Sequence, residues 1–411
     1  MKLLQVRTDA NNKVFELLFS LLLLLTWMRR TVIGYILVFL QRVPYIGTPI
    51  AKVYPVFVVA LAILALPWML KHIRLSEVLI YLFAVTLIFT TEVFYPQNIV
   101  HIDEQLNRIL TSVLPMIFLG VCYNHERHKK MLYWASLLGV VVMFSYQLYQ
   151  LSEGKELMED SMYAAYTVLP SALFVIYYAF ERARVGYALV AVVTVFSLFA
   201  YGTRGPILCV LIFVAVALLL QLGRIRSPWL RVLTAAVIIA AVSFLAFTDV
   251  LVELSKELSK QFGKWGFSTR VFDYFVEGDI AEDSGRSHLL ARAWAGIWDK
   301  PLFGHGLLGD RVHFSSYPHN LFAELWFQFG IIGGTIVIAA ILILPIRALH
   351  RQRRQPLRVL FLAMLICMTF VKLMLSSSYI LEPYFFFMLG VCLKLVREPL
   401  AAPARLGAKP Q

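Results

Sequence analysis

The sequence predicts an all-α, polytopic membrane protein of about twelve crossings with one long helical loop. Three observations predict it. Hydrophobic residues make up 60% of the 411 and charged ones only 15%, against roughly a quarter charged in a soluble domain. That much apolar surface cannot all enter one aqueous core, so lipid must solvate the remainder. The apolar residues fall in runs near 53–70, 75–94, 108–123, 130–150, 162–180, 185–201, 204–222, 229–248, 319–346, 357–375 and 379–396, most of them close to the ~20 residues that a crossing helix needs. The short loops between them alternate in charge.

At the N-terminus, Arg29 and Arg30 interrupt the stretch 14–40. It reads as one long crossing, or as a crossing followed by an interfacial or re-entrant piece. No small-residue cleavage site follows Trp27-Met28, so a cleaved signal peptide is not expected. Basic loops then recur at Arg127, Lys129 and Lys130, at Arg182 and Arg184, and at Arg224, Arg226 and Arg231. Arg347, Arg351, Arg353, Arg354 and Arg358 form another, and Lys394, Arg397, Arg405 and Lys409 belong to the tail. The loops between these carry Asp103 and Glu104, or Glu153, Glu156, Glu159 and Asp160. Positive loops stay inside, which puts both termini in the cytoplasm. The net charge of +13 is then a topological signal, and no nucleic-acid partner is expected. Cys122, Cys209, Cys367 and Cys392 all lie in apolar runs without a CxxC pair. They read as packing residues rather than metal ligands or disulfide partners.

The chain divides into N-terminal membrane helices (1–248), a loop (249–318), C-terminal membrane helices (319–398) and a cytoplasmic tail (399–411). The loop falls outside. In it Leu251, Leu254, Leu258 and Phe262 recur at helical spacing, with Lys256, Lys260 and Lys264 on another face. This is the pattern of a helix on the membrane surface.

Three places put a costly or reactive side chain at the outer face. Arg204, in Tyr201-Gly202-Thr203-Arg204-Gly205-Pro206, sits at the hydrocarbon edge. It reads as a snorkelling anchor or as a cation facing a polar cavity, with Gly205 and Pro206 giving close approach and a helix start. Arg286 follows Ser284-Gly285 and opens a helix to Asp299. It shares the inward stripe of Leu290, Ala293 and Ile297, whereas Arg292 projects elsewhere; a solvated helix-start arginine is the bland alternative. His319 follows Ser315-Ser316-Tyr317-Pro318. With Ser315 or Ser316 as cap and Pro318 in the first turn, the helix dipole would keep its ring neutral, as a general base requires; a structural histidine is the alternative. His288, His305 and His313 of the same loop read as structural. Two arginines and a neutral histidine suit transfer of a sugar from a lipid-linked diphosphate. The cations would neutralise the departing diphosphate in place of a divalent ion, and the base would serve the attacking hydroxyl. No Asp-rich metal motif stands in the loop, so neither metal nor cofactor is expected.

At these residues the chain resembles the O-antigen ligase and polymerase superfamily. The resemblance rests on Gly285-Arg286 through Trp294, on Pro301-Leu302-Phe303-Gly304-His305-Gly306, on His319-Asn320, and on Phe329-Gly330-Ile331-Ile332-Gly333 as a G-x-x-G one helix later. Thr203-Arg204 looks like the family's intramembrane arginine. Strong matching covers roughly 200–335. The resemblance implies an enzyme of the bacterial inner membrane, acting without a metal at the periplasmic face on an undecaprenyl-pyrophosphate-linked glycan. It also implies Arg204 and Arg286 as pyrophosphate ligands and His319 as base. His305, Asn320 and Tyr317 join the substrate-binding set, although a histidine inside the PLFGxG turn departs from the pattern and adds a second polar contributor. Length and loop size look more like the ligase that joins O antigen to lipid A–core, so that lipid is the implied acceptor. A repeat-unit polymerase of the same superfamily stays open. So does a secondary transporter or flippase, although such folds place substrate groups at the midplane between related halves.

Overall fold

The computed structural model describes residues 2–41, 47–152, 161–223, 250–277 and 286–398, with isolated positions between 224 and 249. The protein is an all-α polytopic membrane protein. Among the described residues every regular element is helical, and eight helices are long and apolar enough to cross a membrane. They are Asn12–Leu37, Leu75–Phe94, Pro96–Cys122, His125–Ser152, Met162–Arg182, Arg204–Leu222, Leu321–Gln352 and Pro356–Leu375. Val53–Met69 and Val185–Phe199 are shorter apolar helices, and Pro383–Arg397 closes the series. Ten of the eleven expected runs, and the N-terminal stretch 14–40, therefore correspond to helices. Outside the described residues lie nearly all of the run 229–248, Arg224, Arg226 and Arg231, the acidic residues from Glu153 to Asp160, Ser284 and Gly285, and the tail beyond Glu398. The awkward N-terminal stretch holds one helix long and apolar enough to cross, Asn12–Leu37. Arg29–Ile33 form a π-helical turn inside it rather than an end.

The chain forms two compact units, one from Met1–Trp68 with His125–Glu282, the other from Met69–Asn124 with Asp283–Gln411. Lipid tails are as apolar as leucine, so packing within membrane helices rests on close approach and on hydrogen bonds. In the first unit the deeply buried Ser161–Arg182 helix brings Phe174 against Trp27, whose indole N–H donates to Ser136 at 2.9 Å. Arg127, Lys129 and Lys130, expected in a loop, prove to lie in the first turns of the His125–Ser152 helix. There Arg127 pairs with Glu16, and Lys129 with Glu126 and Glu181. The Val250–Lys264 helix is amphipathic as expected. Part of its apolar face packs on protein, however: Phe262 is buried in a cluster with Ala200, Phe267 and Phe272, and Leu258 flanks it. Asp273 ties this helix to the next by accepting from Ser259 and Thr269, both at 2.7 Å.

In the second unit, Met116–Cys122 and Pro383–Arg397 touch through their backbones. A Cβ on Gly120 would overlap Phe387 O, and one on Gly390 would overlap Ile117 O. All four cysteines are buried and unbridged.

Candidate active site

Within the second unit the expected motifs turn out to be one packing device. Gly330 breaks the Leu321–Gln352 helix with φ 70° and ψ 176°. The break frees carbonyls in the preceding turn, and the Pro301–Gly306 turn bonds to them. His305 N–H donates to Phe327 O and Gly306 N–H to Gln328 O, both at 2.9 Å, while Ile331 N–H donates to Pro301 O at 2.7 Å. Gly304, at φ 67°, lies against the Gly330 backbone with no room for a Cβ. The G-x-x-G expected one helix later therefore belongs to the same helix as His319-Asn320, interrupted two to three turns in. Asn98 holds the far end of the turn, its amide donating to His305 O at 2.9 Å and Leu307 O at 3.0 Å.

The Arg286–Asp299 helix lies beside this break on the predicted stripe. Ala293 and Ile297 are fully buried against Phe327, and Arg286 opens that helix. Arg292 does project elsewhere, donating to His313 O at 2.7 Å and lying over the Phe314 ring. His305 stacks on Phe327 with centroids 4.3 Å apart. Its Nε2 faces Gly296 O at 2.9 Å and its Nδ1 faces His313 Nε2 at 2.9 Å. A carbonyl only accepts, so Nε2 carries the proton of a neutral ring and Nδ1 accepts from His313. Both nitrogens of the expected substrate ligand are thus committed within the protein, and burial lowers the proton affinity of both rings.

The short Gly309–Phe314 helix adds groups that the sequence reading missed. Asp310 is fully buried and pairs with Arg311, which also lies 3.8 Å from Glu324. Gln328 donates to Asp310 at 3.0 Å and accepts from Tyr379 at 2.8 Å, while Ser378 donates to Glu324. Burial pushes the Asp310 carboxyl above the usual carboxylate range. Such pairs add little net stability, but removing one partner strands a buried charge.

His319 sits at the edge of this network. The structure corrects the expected helix start: the helix begins at Leu321, so Pro318 is not in its first turn and neither Ser315 nor Ser316 caps it. Asn320 is the cap, its side-chain oxygen accepting from Phe322 N–H at 3.0 Å and Ala323 N–H at 3.1 Å. Asparagine is a strong cap, and it satisfies two orphan donors here. His319, one residue before it, adopts left-handed backbone at φ 55°. Its ring packs 4.3 Å from that of Tyr317, whose hydroxyl accepts from Ser377 N–H at 3.1 Å and whose ring lies 4.9 Å from the Arg311 guanidinium carbon. His319 Nδ1 is buried without a hydrogen-bond partner. The ring is held neutral, its pKa lowered to about 4, and the leading cause is burial, followed by Arg286 and Arg311. The expected neutrality thus has causes other than the helix dipole. Leu308, Ser315, His319 and Ser377 are four of the five non-glycine positive-φ residues among those described. Strain of this kind persists where surroundings over-determine it, which is common at functional sites.

Arg204 belongs to the first unit. It begins the Arg204–Leu222 helix after an extended Thr203. Gly205 lies so close to the Tyr166 hydroxyl that no Cβ would fit, which explains the glycine. Tyr201 is buried and donates to Met143 O at 3.0 Å. The structure therefore gathers Arg286, Tyr317, His319 and Asn320 in one unit and sets Arg204 in the other. The missed Glu324, like the buried pair Lys372–Glu382, was legible as an ionisable residue inside an apolar run, which marks function by default. Asp310-Arg311, in a polar loop, carried no such signal.

A multi-pass helical membrane protein with a cationic, histidine-bearing polar cluster beside a broken helix is the class that this architecture defines. Residues 189–338 match the family model described as O-Antigen ligase, which places that stretch in the O-antigen ligase superfamily and gives the chain a ligase- or polymerase-type glycan-transfer domain. No curated protein and no solved structure matches the chain.

Proposed function

We propose that the protein transfers a glycan from undecaprenyl pyrophosphate to a hydroxyl of lipid A–core, as an O-antigen ligase of the inner membrane working on the periplasmic side. The observation that carries this is His319, a neutral ring with a buried, unpaired Nδ1 whose proton affinity is depressed first by burial and then by Arg286 and Arg311. Arg286 and Arg204 bind the diphosphate. As the acceptor oxygen forms its bond to the anomeric carbon, the bond from that carbon to the diphosphate oxygen breaks, and the hydroxyl proton passes to His319. The leaving diphosphate keeps the electron pair, and the arginines stabilise its growing charge. Donor binding also strengthens the base, because a diphosphate against Arg286 offsets one of the charges that, after burial, hold the ring's affinity down. The alternating loop charge supports cytoplasmic termini. Purified protein given lipid-linked donor and lipid A–core should yield the ligated glycolipid. Donor-only chains of increasing repeat number would instead identify a polymerase, and His319→Gln with unimpaired transfer would refute the base.

A further inference from the structure

The Pro301–Gly306 turn carries two large apolar side chains that the described residues leave exposed. Leu302 is 58% and Phe303 78% exposed, beside glycine-locked backbone at Gly304. Their depth can be read from the helix they are fastened to. The first turns of Leu321–Gln352 contain Glu324 and Gln328, and its last contain Arg347, His350 and Arg351. Past the break at Gly330, the run 331–346, without a charged residue, rises about 24 Å at 1.5 Å per residue, most of the ~30 Å hydrocarbon thickness. Gly330 therefore stands at the hydrocarbon edge. Backbone contact with Leu302 and the Ile331-to-Pro301 hydrogen bond fix the turn at that level. Just inward, on the apolar stretch past the break, Ile332 and Ile336 are 60% and 65% exposed. Trp298 is exposed on the Arg286–Asp299 helix, and Trp294 touches Trp326, whose indole N–H donates to Thr335, past the break, at 3.0 Å. Tryptophan is the residue that favours the headgroup layer.

We infer that this turn is a membrane-inserted wedge, with Leu302 and Phe303 among lipid acyl chains at the hydrocarbon edge and the exposed Trp298 at the headgroups. The turn is fastened at Gly330 and Ile331 to the apolar stretch that exposes Ile332 and Ile336, which selects bilayer lipid as the occupant. The wedge would hold the segment bearing Arg286 at headgroup depth, where the diphosphate of any lipid-linked substrate lies.

The test uses the full chain with nitroxide-labelled single cysteines at Phe303, Leu302 and Trp298, reconstituted without substrate in phosphatidylcholine–phosphatidylglycerol vesicles. Ile336 serves as lipid reference and Arg354, in an exposed turn, as aqueous reference. Labels at Leu302 and Phe303 should be relaxed by oxygen far more than by a water-soluble nickel chelate, as at Ile336, with Trp298 intermediate. Chelate access like that at Arg354 would overturn the inference. So would exclusion of both relaxants that lifts on diluting protein in lipid, the sign of a second copy on this face. Each outcome is read at Leu302 as well as Phe303, so one ill-behaved variant does not decide it.

Discussion

Gly304 and Gly330 meet backbone to backbone, both at positive φ, and a Cβ on either would collide with the other's segment. This contact fixes the end of the Arg286–Asp299 helix against the helix that follows His319. Gly330→Ala must bear both the collision and left-handed backbone, together on the order of 2–4 kcal/mol. It should lower the melting temperature of the detergent-solubilised protein by several degrees and reduce transfer with it. Gly186, which has open space around its Cα, is the control, and Gly186→Ala should leave both unchanged. Equal melting temperatures for Gly330→Ala and wild type would remove the packing argument.

A pH profile should separate free from donor-bound enzyme. With the His319 pKa lowered to about 4 in the free protein, the ring is already neutral well below neutrality, so the acidic limb of kcat/KM from this group should lie near that value. Bound diphosphate screens Arg286, so the acidic limb of kcat should lie at higher pH. Arg311→Gln should raise the kcat/KM limb by removing one of the charges, whereas Arg311→Lys should leave it in place. Coincident limbs for kcat and kcat/KM in the wild type would contradict donor-driven activation.

The membrane class was legible because apolar run length maps directly onto bilayer thickness. The stripe of Ala293 and Ile297 was legible because helical periodicity reports a buried face. The start of the His319 helix was misread because three cap-forming residues precede Leu321, and a sequence does not say which one's side chain turns back. The chain reverses at His319 in left-handed backbone, which leaves Asn320 to cap. The Arg311 network was invisible for another reason. Its partners Asp310, Glu324, Gln328 and Ser378 are up to 68 positions apart (378 − 310 = 68), and no local spacing encodes them.

The arginine roles predict a charge and shape dependence. Arg286→Ala and Arg204→Ala should each lose at least about a hundredfold in transfer at unchanged membrane level, and Lys should restore little, since it lacks the planar fork that grips a diphosphate. Chelator should leave the wild-type rate unchanged. Chelator inhibition reversed by magnesium would mean that a divalent ion carries charge assigned here to the arginines.

Orientation can be checked independently of activity. A cysteine at exposed Lys260 or Lys300 should react with an impermeant maleimide added to intact spheroplasts, and one at exposed Arg354 should react only after lysis. The reverse pattern would invert the topology and move the proposed site to the cytoplasm.

His319 gives the sharpest separation of chemistry from structure. Its left-handed backbone and Tyr317 contact could serve folding alone, in which case His319→Ala would lose stability, donor binding and turnover together. The proposed base predicts a different split, because the arginines rather than the imidazole hold the diphosphate. His319→Gln should bind lipid-linked donor within about threefold of wild type yet lose transfer by about a hundredfold or more, within the range for a lost general base. The pH dependence of stability supplies a second reading. The folded ring has a depressed pKa, so the unfolded chain binds more protons between about 4 and the ordinary histidine value near 6.5. The stability that His319 contributes is therefore complete above that window and lost as pH falls through it. His305 and His313 act in the same direction, so His319→Gln should flatten the decline without abolishing it. Melting temperature measured from pH 7.5 to 5 on both proteins, beside donor binding and turnover, decides the matter. Parallel melting curves with near-normal transfer would end the case for His319 as the base.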